Sequence, residues 1–166
     1  MTHSALWVAD YIVATGAGVL TPLHVLKLTY MSHGYTWGIV GHKLISDKVE
    51  AWTYGPVIPT VYEALSKYGS REVDALHYCG TPISSEDNVQ KRVEELGSRF
   101  SEKEKEVIDC VVDVYKDWTA GQLITLMHRE GTPWSQYYVK GGVNIIIPDS
   151  VTKTYYEELV NERRQQ

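Results

Sequence analysis

The segment Glu50–Thr60, EAWTYGPVIPT, constrains the fold more than any other part of this chain. Its first residues favour an extended, half-buried backbone, which predicts a short strand over Glu50–Tyr54. Gly55 can adopt backbone angles that are closed to other residues, whereas Pro56 fixes its own φ and restricts the residue before it. We therefore expect a rigid turn at this Gly-Pro step and a helix from Pro59.

We call Glu50–Thr60 the corner, and two interpretations of it remain open. In the first it is purely structural, and the helix after Pro59 buries one face and is capped by Gly69. The residues with the spacing for that buried face are Val61, Tyr62, Leu65 and Tyr68. In the second, Trp52, Tyr54 and the Gly-Pro-Val step shape a surface for a partner. The sequence favours the structural interpretation, since Gly and Pro are primarily signals of local backbone geometry.

Length and charge narrow the class of protein. A chain of 166 residues is long enough to form one domain around one core without a metal or disulfide to stabilise it. The net charge of −5 argues against nucleic acid as the main partner, because such proteins normally carry a basic face. The chain contains 12 Tyr and 5 Trp residues but a single Phe, a composition that suits half-exposed and interface positions.

The N-terminal residues and the cysteines indicate a compartment. The first twenty residues contain no basic leader, and Asp10, Gly16 and Gly18 interrupt their apolar run. They predict neither a signal peptide nor a membrane-spanning helix. With no export signal, Cys79 and Cys110 are expected to be reduced thiols. A cytoplasmic protein is therefore predicted.

Helix starts are marked by residues that can accept hydrogen bonds from the first turn. These caps are, in chain order, Ser4, Thr21, Ser101, Thr119, Thr132 and either Asp149 or Ser150. Proline follows Thr21 and Thr132 at the first helical position, and Glu104 can complete a capping box with Ser101. Together with the helix after Pro59, these starts predict a single compact, mainly α-helical domain over residues 1–166, with about six to seven helices.

Sheet structure is predicted to be minor. Lys43–Ile45 and Val49–Tyr54 resemble two short strands joined by a turn at Ser46–Lys48, which predicts a small antiparallel β-hairpin. Asn144–Ile147 is expected to add an edge strand. The sequence therefore indicates an α-helical domain with a hairpin or a minor sheet.

Two segments between the helices are ambiguous. Arg71–Tyr78 is compatible with a strand or with irregular structure. Gly80–Ser98 is polar, and the spacing of Val89, Val93 and Leu96 allows a short exposed helix inside it. The alternative is a long mobile loop.

No catalytic constellation is visible in the sequence. The six histidines, His3, His24, His33, His42, His77 and His128, lack the paired spacing of a metal-binding helix. The best acid–base candidate is His128 with Glu130, although a histidine in a last helical turn is more simply explained by its contact with free carbonyls. Lys27 lies among apolar residues, and we expect its stem to pack while its ammonium reaches the rim.

The order of several motifs resembles a known family. The motifs are LxxLKLxY over Leu23–Tyr30, then Leu44, then VEAWTYGPVIPTVY over Val49–Tyr62, then the helix after Ser101, and LxxLxHxExxPW over Leu123–Trp134. Together they resemble the Panacea domain of SocA-like antitoxins and phage-associated proteins, over about Leu6–Leu159. The residues expected to support this structural motif are Lys27, Tyr30, Glu50, Gly55, Pro59, His128, Pro133 and Trp134.

The resemblance implies a function in protein binding. Members of this family commonly neutralise the product of an adjacent toxin gene by direct binding. No cofactor, metal or catalytic residue is expected in this chain. The expected partner-binding residues are Trp52, Tyr54, Pro56, Val57 and Tyr62. Two alternatives stay open: an adaptor that presents a partner to a host protease, and a phage-encoded enzyme that modifies a host factor through His128 and Glu130.

Overall fold

A computed structural model describes residues 2–74 and 86–166 of the chain. Those ranges contain eight α-helices, one 3₁₀ turn and one two-stranded antiparallel sheet. In chain order the elements are α1 (Ala5–Thr15), α2 (Pro22–Ile39), β1 (Glu50–Trp52), β2 (Gly55–Val57), α3 (Pro59–Leu65), the 3₁₀ turn (Ser66–Tyr68), α4 (Glu86–Gly97), α5 (Glu102–Tyr115), α6 (Ala120–His128), α7 (Pro133–Tyr137) and α8 (Asp149–Arg164). The mainly α-helical prediction is confirmed, with one more helix than expected because α4 and the five-residue α7 both form.

Helix α2 is the centre of the fold. All of its residues from Val25 to Trp37 are buried, and it packs against α1, α5 and α8. Gly34 allows the closest of these approaches, since a Cβ atom there would lie 2.2 Å from the ring of Tyr156 on α8. A helix that is buried on every side must also bury its polar residues, and α2 includes a fully buried lysine, Lys27.

The predicted helix starts are confirmed at most positions. Thr21, Ser101, Thr119 and Thr132 each accept a hydrogen bond from a backbone N–H of the first turn that follows. The last helix differs from the prediction, because neither Asp149 nor Ser150 is its cap. Pro148 occupies that position without a side-chain hydrogen bond, and Asp149 is the first helical residue and forms an ion pair with Lys43.

The predicted pairing of the hairpin strands is wrong. Strand β1 pairs with β2, which immediately follows it, in the register Glu50 to Val57 and Trp52 to Gly55. Ile45 instead makes a single parallel bridge with His3 near the N-terminus. Gly55 and Pro56 therefore begin strand β2, and the turn expected at them lies instead at Thr53 and Tyr54.

The predicted edge strand at Asn144–Ile147 is reduced to one antiparallel bridge between Glu50 and Ile146. Two backbone hydrogen bonds flank this bridge, from Ala51 to the carbonyl of Ile145 and from Ile147 to the carbonyl of Val49. This contact nevertheless places the chain before α8 beside β1.

Beyond the 3₁₀ turn, residues 71–74 are irregular, and residues 75–85, which include Cys79, lie outside the described part. Of the two interpretations of Gly80–Ser98, the helix is confirmed for Glu86–Gly97. The C-terminal part of this helix packs against α1. Leu96 is buried, and its carbonyl accepts a hydrogen bond of 2.8 Å from the indole of Trp7. Cys110 carries an exposed free thiol.

The described helices include none that is both long enough and apolar enough to cross a bilayer.

A cluster around Glu104 anchors the N-terminus. Glu104 is 4 % exposed and completes the predicted capping box, its carboxylate accepting a hydrogen bond of 2.8 Å from the backbone N–H of Ser101. The ring nitrogens Nε2 of His3 and His42 lie 3.2 and 3.0 Å from its two carboxylate oxygens. These hydrogen bonds lower the pKa of Glu104 although burial alone would raise it. The cluster therefore joins the first residues of the chain to the start of α5.

Candidate functional site

The hairpin of β1 and β2 carries the most exposed aromatic side chain of the region. Its two strands are joined by Thr53 and Tyr54, and the Tyr54 side chain is 67 % exposed at the tip. Gly55 follows with φ at +115°, a backbone conformation that residues with a Cβ atom rarely adopt. The turn thus holds Tyr54 away from the core while β2 returns to it.

Lys27 lies behind the hairpin, and the prediction that its ammonium reaches the rim is wrong. The side chain is 1 % exposed, and its Nζ donates a hydrogen bond of 3.1 Å to the carbonyl of Pro56. A Cβ atom at Gly55 would lie 3.0 Å from this Nζ and would crowd the lysine, so the main requirement for glycine here is its positive φ. Burial lowers the pKa of Lys27 to about 7.

An open groove of ≈ 840 Å³ lies between the hairpin, α2, α3 and the loop before α8. Its described lining is mostly apolar and aromatic. The residues are Pro22, Leu23, Leu26, Lys27, Glu50, Trp52, Thr53, Tyr54, Val57, Tyr62, Leu65, Ser66, Gly69, Tyr138, Gly141, Gly142, Val143 and Asn144. Lys27 is the deeply buried cation among them and belongs to the groove floor.

Glu50 is the acidic residue of this lining and is 3 % exposed. Its two carboxylate oxygens are both engaged. Oε2 lies 3.2 Å from the Nζ of Lys48, and Oε1 accepts a hydrogen bond of 3.2 Å from the indole of Trp52. Glu50 therefore holds the indole of Trp52 at the groove wall and forms an ion pair with the exposed Lys48.

Stacked rings support the hairpin from the other side. The rings of His128 and Trp134 stack at 3.9 Å with an interplanar angle of 4°, and Tyr138 stacks on the same indole at 4.6 Å. The indole N–H of Trp134 donates a hydrogen bond of 2.6 Å to the backbone carbonyl of Trp52. Trp134, although distant in sequence, therefore supports the backbone of the hairpin.

His128 is the last residue of α6, as predicted, but its buried Nε2 has no hydrogen-bond partner among the described residues, so the expected contact with free carbonyls is not observed. Burial, followed by the nearby charge of Lys27, lowers its pKa. Glu130 is exposed, and no ion pair joins it to His128 within residues 2–74 and 86–166. The observed contact of His128 is its stack on Trp134, which is a structural arrangement.

The five expected partner-binding residues fall into two groups. Tyr54 and Tyr62 are exposed, at 67 % and 46 %, and Trp52 is partly buried between them and the core. Pro56 and Val57 are buried inside the fold. The expected buried face of α3 is therefore correct for Val61 and Leu65 and wrong for Tyr62, whose ring instead meets that of Trp52 edge-to-face at 4.8 Å.

The remaining motif residues have structural positions. Tyr30 is buried in α2, and its ring meets that of Tyr156 edge-to-face. Pro59 is the first residue of α3, and Pro133 is the first residue of α7. None of the three is among the described residues that line the groove.

Sequence reasoning missed two parts of the groove. One is the wall that Leu23 and Leu26 form on α2, since neither residue is among the expected partner-binding residues. The other is the loop before α8, where Val143 is 83 % exposed. The only sequence signal in that loop is the Gly141-Gly142 pair, which marks a break in structure and says nothing about a binding surface.

Comparison with known proteins gives one family. Residues 25–135 match the family described as antitoxin SocA-like, Panacea domain. The Antitoxin SocA of Caulobacter vibrioides (strain NA1000 / CB15N) is 26 % identical over 151 residues, which cover 83 % of this chain and 72 % of that relative. No solved structure matches the chain significantly. Because the family match spans more than half of the chain and contains the hairpin, Lys27 and Trp134, the chain belongs to the SocA-like Panacea domain family.

Proposed function

We propose that this protein is an antitoxin that neutralises a toxin by forming a direct complex with it. Membership of the SocA-like family supports an antitoxin role and suggests that the role is not enzymatic. The observation that carries the proposal of direct binding is the group of aromatic side chains at the edge of the groove. We call Trp52, Tyr54 and Tyr62 the aromatic rim.

The aromatic rim has the chemistry of a binding surface. Tyrosine and tryptophan offer a large contact area with few rotatable bonds, and they are enriched where protein interfaces contribute most to affinity. Tyr54 and Tyr62 expose 67 % and 46 % of their surface although they stand next to a buried core. Val143, in the loop before α8, adds an exposed apolar side chain to the lining of the same groove. A partner segment placed here would cover all three.

The backbone beneath the aromatic rim is held firmly. Trp134 donates to the carbonyl of Trp52, and Lys27 donates to the carbonyl of Pro56, so each strand of the hairpin has a hydrogen bond to a side chain behind it. A surface that is already ordered loses little conformational entropy on binding. The rim therefore offers aromatic contacts at a low ordering cost.

Co-expression with the product of an adjacent gene tests the function. We expect that gene alone to arrest growth, the pair to restore growth, and the two proteins to elute as one complex in size-exclusion chromatography. Failure to restore growth together with separate elution would reject the proposal for that pair.

Paired variants test the surface. Tyr54→Ala with Tyr62→Ala removes two exposed rings, and we expect at least about a tenfold loss of affinity for the toxin, as is usual for interface hot spots. Val19→Ala with Val114→Ala is the control, because both side chains are at least half exposed and lie outside the groove lining. Equal affinities for the two pairs would remove the rim from the interface while leaving the antitoxin function intact.

A further inference from the structure

Lys27 has unused hydrogen-bonding capacity. A lysine ammonium carries three N–H donors. Within residues 2–74 and 86–166 its Nζ has one acceptor, the neutral carbonyl of Pro56. A buried cation usually requires more partners than this, or an opposite charge.

The charged groups around Lys27 do not provide that opposite charge. Glu50 lines the same groove, but its carboxylate is engaged by Lys48 and by the indole of Trp52. On α6, the titratable neighbour is His128, whose pKa is lowered in part by the positive charge of Lys27. The low pKa of Lys27, about 7, has burial as its cause. Within the described residues no ion pair includes Lys27, so the groove floor contains an amine whose charged form is disfavoured by burial and has no counter-ion there.

The walls above Lys27 are suited to an apolar molecule. Leu23 and Leu26 on α2 form one wall, and Trp52, Val57 and Tyr62 contribute to the hairpin side and α3. The volume of ≈ 840 Å³ falls within the range of small-molecule sites, about 300–1,000 Å³, which are typically apolar with a few fixed polar groups. A deep cation between apolar walls is complementary to a molecule with one anionic end.

We propose that this groove binds a small molecule consisting of an apolar body and a carboxylate, with the carboxylate accepting hydrogen bonds from Lys27. The apolar body lies between the α2 wall and Trp52. A carboxylate supplies both the acceptors and the opposite charge that Lys27 lacks, and a charge-assisted hydrogen bond is stronger than one to a neutral group. This ligand site goes beyond toxin binding and does not depend on it.

The first test uses 3-phenylpropionate and its uncharged analogue 3-phenylpropionamide on the isolated protein. Binding is measured from the indole N–H resonances of Trp52 and Trp134 in ¹H–¹⁵N NMR spectra. We expect the acid to bind with a dissociation constant on the order of 1 mM, and about tenfold more tightly than the amide. Equal binding of acid and amide, or no response to the acid up to about 20 mM, overturns the proposal.

Lys27→Met provides the matched variant, because it keeps the length of the side chain and removes the amine. We expect the preference for the acid over the amide to fall below about twofold in this variant. A preference that survives in Lys27→Met assigns carboxylate recognition to another residue and overturns the proposal.

A measurement on the wild-type protein avoids any effect of the substitution on folding. Lysine labelled with ¹³C at Cε reports the ionisation of Lys27, and we expect its pKa to rise when 3-phenylpropionate is added, since a nearby anion favours the ammonium form. An unchanged pKa at saturation overturns the proposal.

A peptide probe distinguishes the source of the carboxylate. N-acetyl-glycyl-phenylalanine presents the same ring and a carboxylate at the end of a polypeptide chain. We expect it to bind no more tightly than 3-phenylpropionate. A preference of about tenfold for the peptide would overturn the assignment to a small molecule and assign the groove to a chain terminus.

Discussion

Glu104 and Lys27 are both buried charged side chains, but the fold treats them differently. Glu104 accepts hydrogen bonds from the backbone of Ser101 and lies against His3 and His42, so each of its oxygens has a partner. Among the described residues Lys27 has one acceptor, a neutral carbonyl, and it lines a groove. The pKa of Glu104 is lowered by its partners, which favours its charged form, whereas burial lowers the pKa of Lys27 and disfavours its charged form.

This difference separates a structural site from a candidate binding site. A buried charge with complete partners stabilises the contacts that surround it, and removing it leaves those partners without an acceptor. A buried charge with incomplete partners costs stability unless a ligand completes them. Glu104 belongs to the first class and ties three segments together, while Lys27 belongs to the second. The predictions that follow test this assignment.

Glu104→Ala should have the largest effect. It removes a capping box and leaves two histidines without their carboxylate, and we expect a loss of about 3 kcal/mol in the free energy of unfolding at neutral pH. Urea denaturation followed by circular dichroism measures this change. Glu106→Ala on the same helix is the control, because Glu106 is exposed and should change stability by less than about 0.5 kcal/mol. Similar losses for the two variants would contradict a structural role for Glu104.

Lys27→Met should reveal a pH dependence of about 2 kcal/mol between about pH 7 and 9. Since the pKa of Lys27 is lowered to about 7 when folded, the unfolded chain binds more protons above that pH, and the stability of the wild type rises with pH. The variant lacks this rise. Its gain in free energy of unfolding relative to the wild type is therefore greatest below pH 7 and shrinks as the pH increases.

The measurement for Lys27 is a series of urea midpoints across that pH range. Lys103→Met serves as the control, because Lys103 is exposed on α5 and should show the same pH profile as the wild type. A constant difference between Lys27→Met and the wild type would show that the buried amine does not lose its proton in this range.

Glu104→Gln should have a smaller effect that disappears in acid. The lowered pKa of Glu104 means that its contribution is present above the unfolded pKa of about 4.3 and is lost as the pH falls through the folded value. We expect the wild type to be about 1 kcal/mol more stable than this variant near pH 6, with the difference closing in acid. Urea midpoints at several acidic pH values test it, and a difference that persists well below pH 4 would contradict the assignment.

Tyr54→Ala should change stability least, by no more than about 0.5 kcal/mol, because its ring is mostly exposed. Trp134→Ala is the informative contrast, since it removes the hydrogen bond to the Trp52 carbonyl and the stack on His128. A large loss of thermal stability in Tyr54→Ala would show that the tip of the hairpin belongs to the core.

Helix boundaries were largely predictable because their signals are local. Thr21 with Pro22, Ser101 with Glu104, and Thr119 each cap a helix through hydrogen bonds to residues about three positions away. The residues that form such contacts are close in sequence, so the sequence alone can identify them. The exception was α8, where Asp149 has the chemistry of a cap but pairs with Lys43, a residue distant in sequence.

Strand pairing was less predictable because it depends on competition between partners. The segment Lys43–Ile45 has strand-like composition, but Ile45 pairs with His3 and leaves β1 to pair with β2. Alternation of residue types predicts that a segment can be extended. It does not predict which other segment will pair with it.

The corner at Glu50–Thr60 was visible in the sequence, and its glycine and prolines correctly marked a constrained backbone. The sequence could not distinguish its buried side chains from its exposed ones. That division follows from contacts across the fold: α2 brings Lys27 beneath Pro56, and α7 brings Trp134 behind Trp52. Burial, and with it the pKa of Lys27 and the exposure of Tyr54, depends on packing between distant segments, so it is a property of the folded chain.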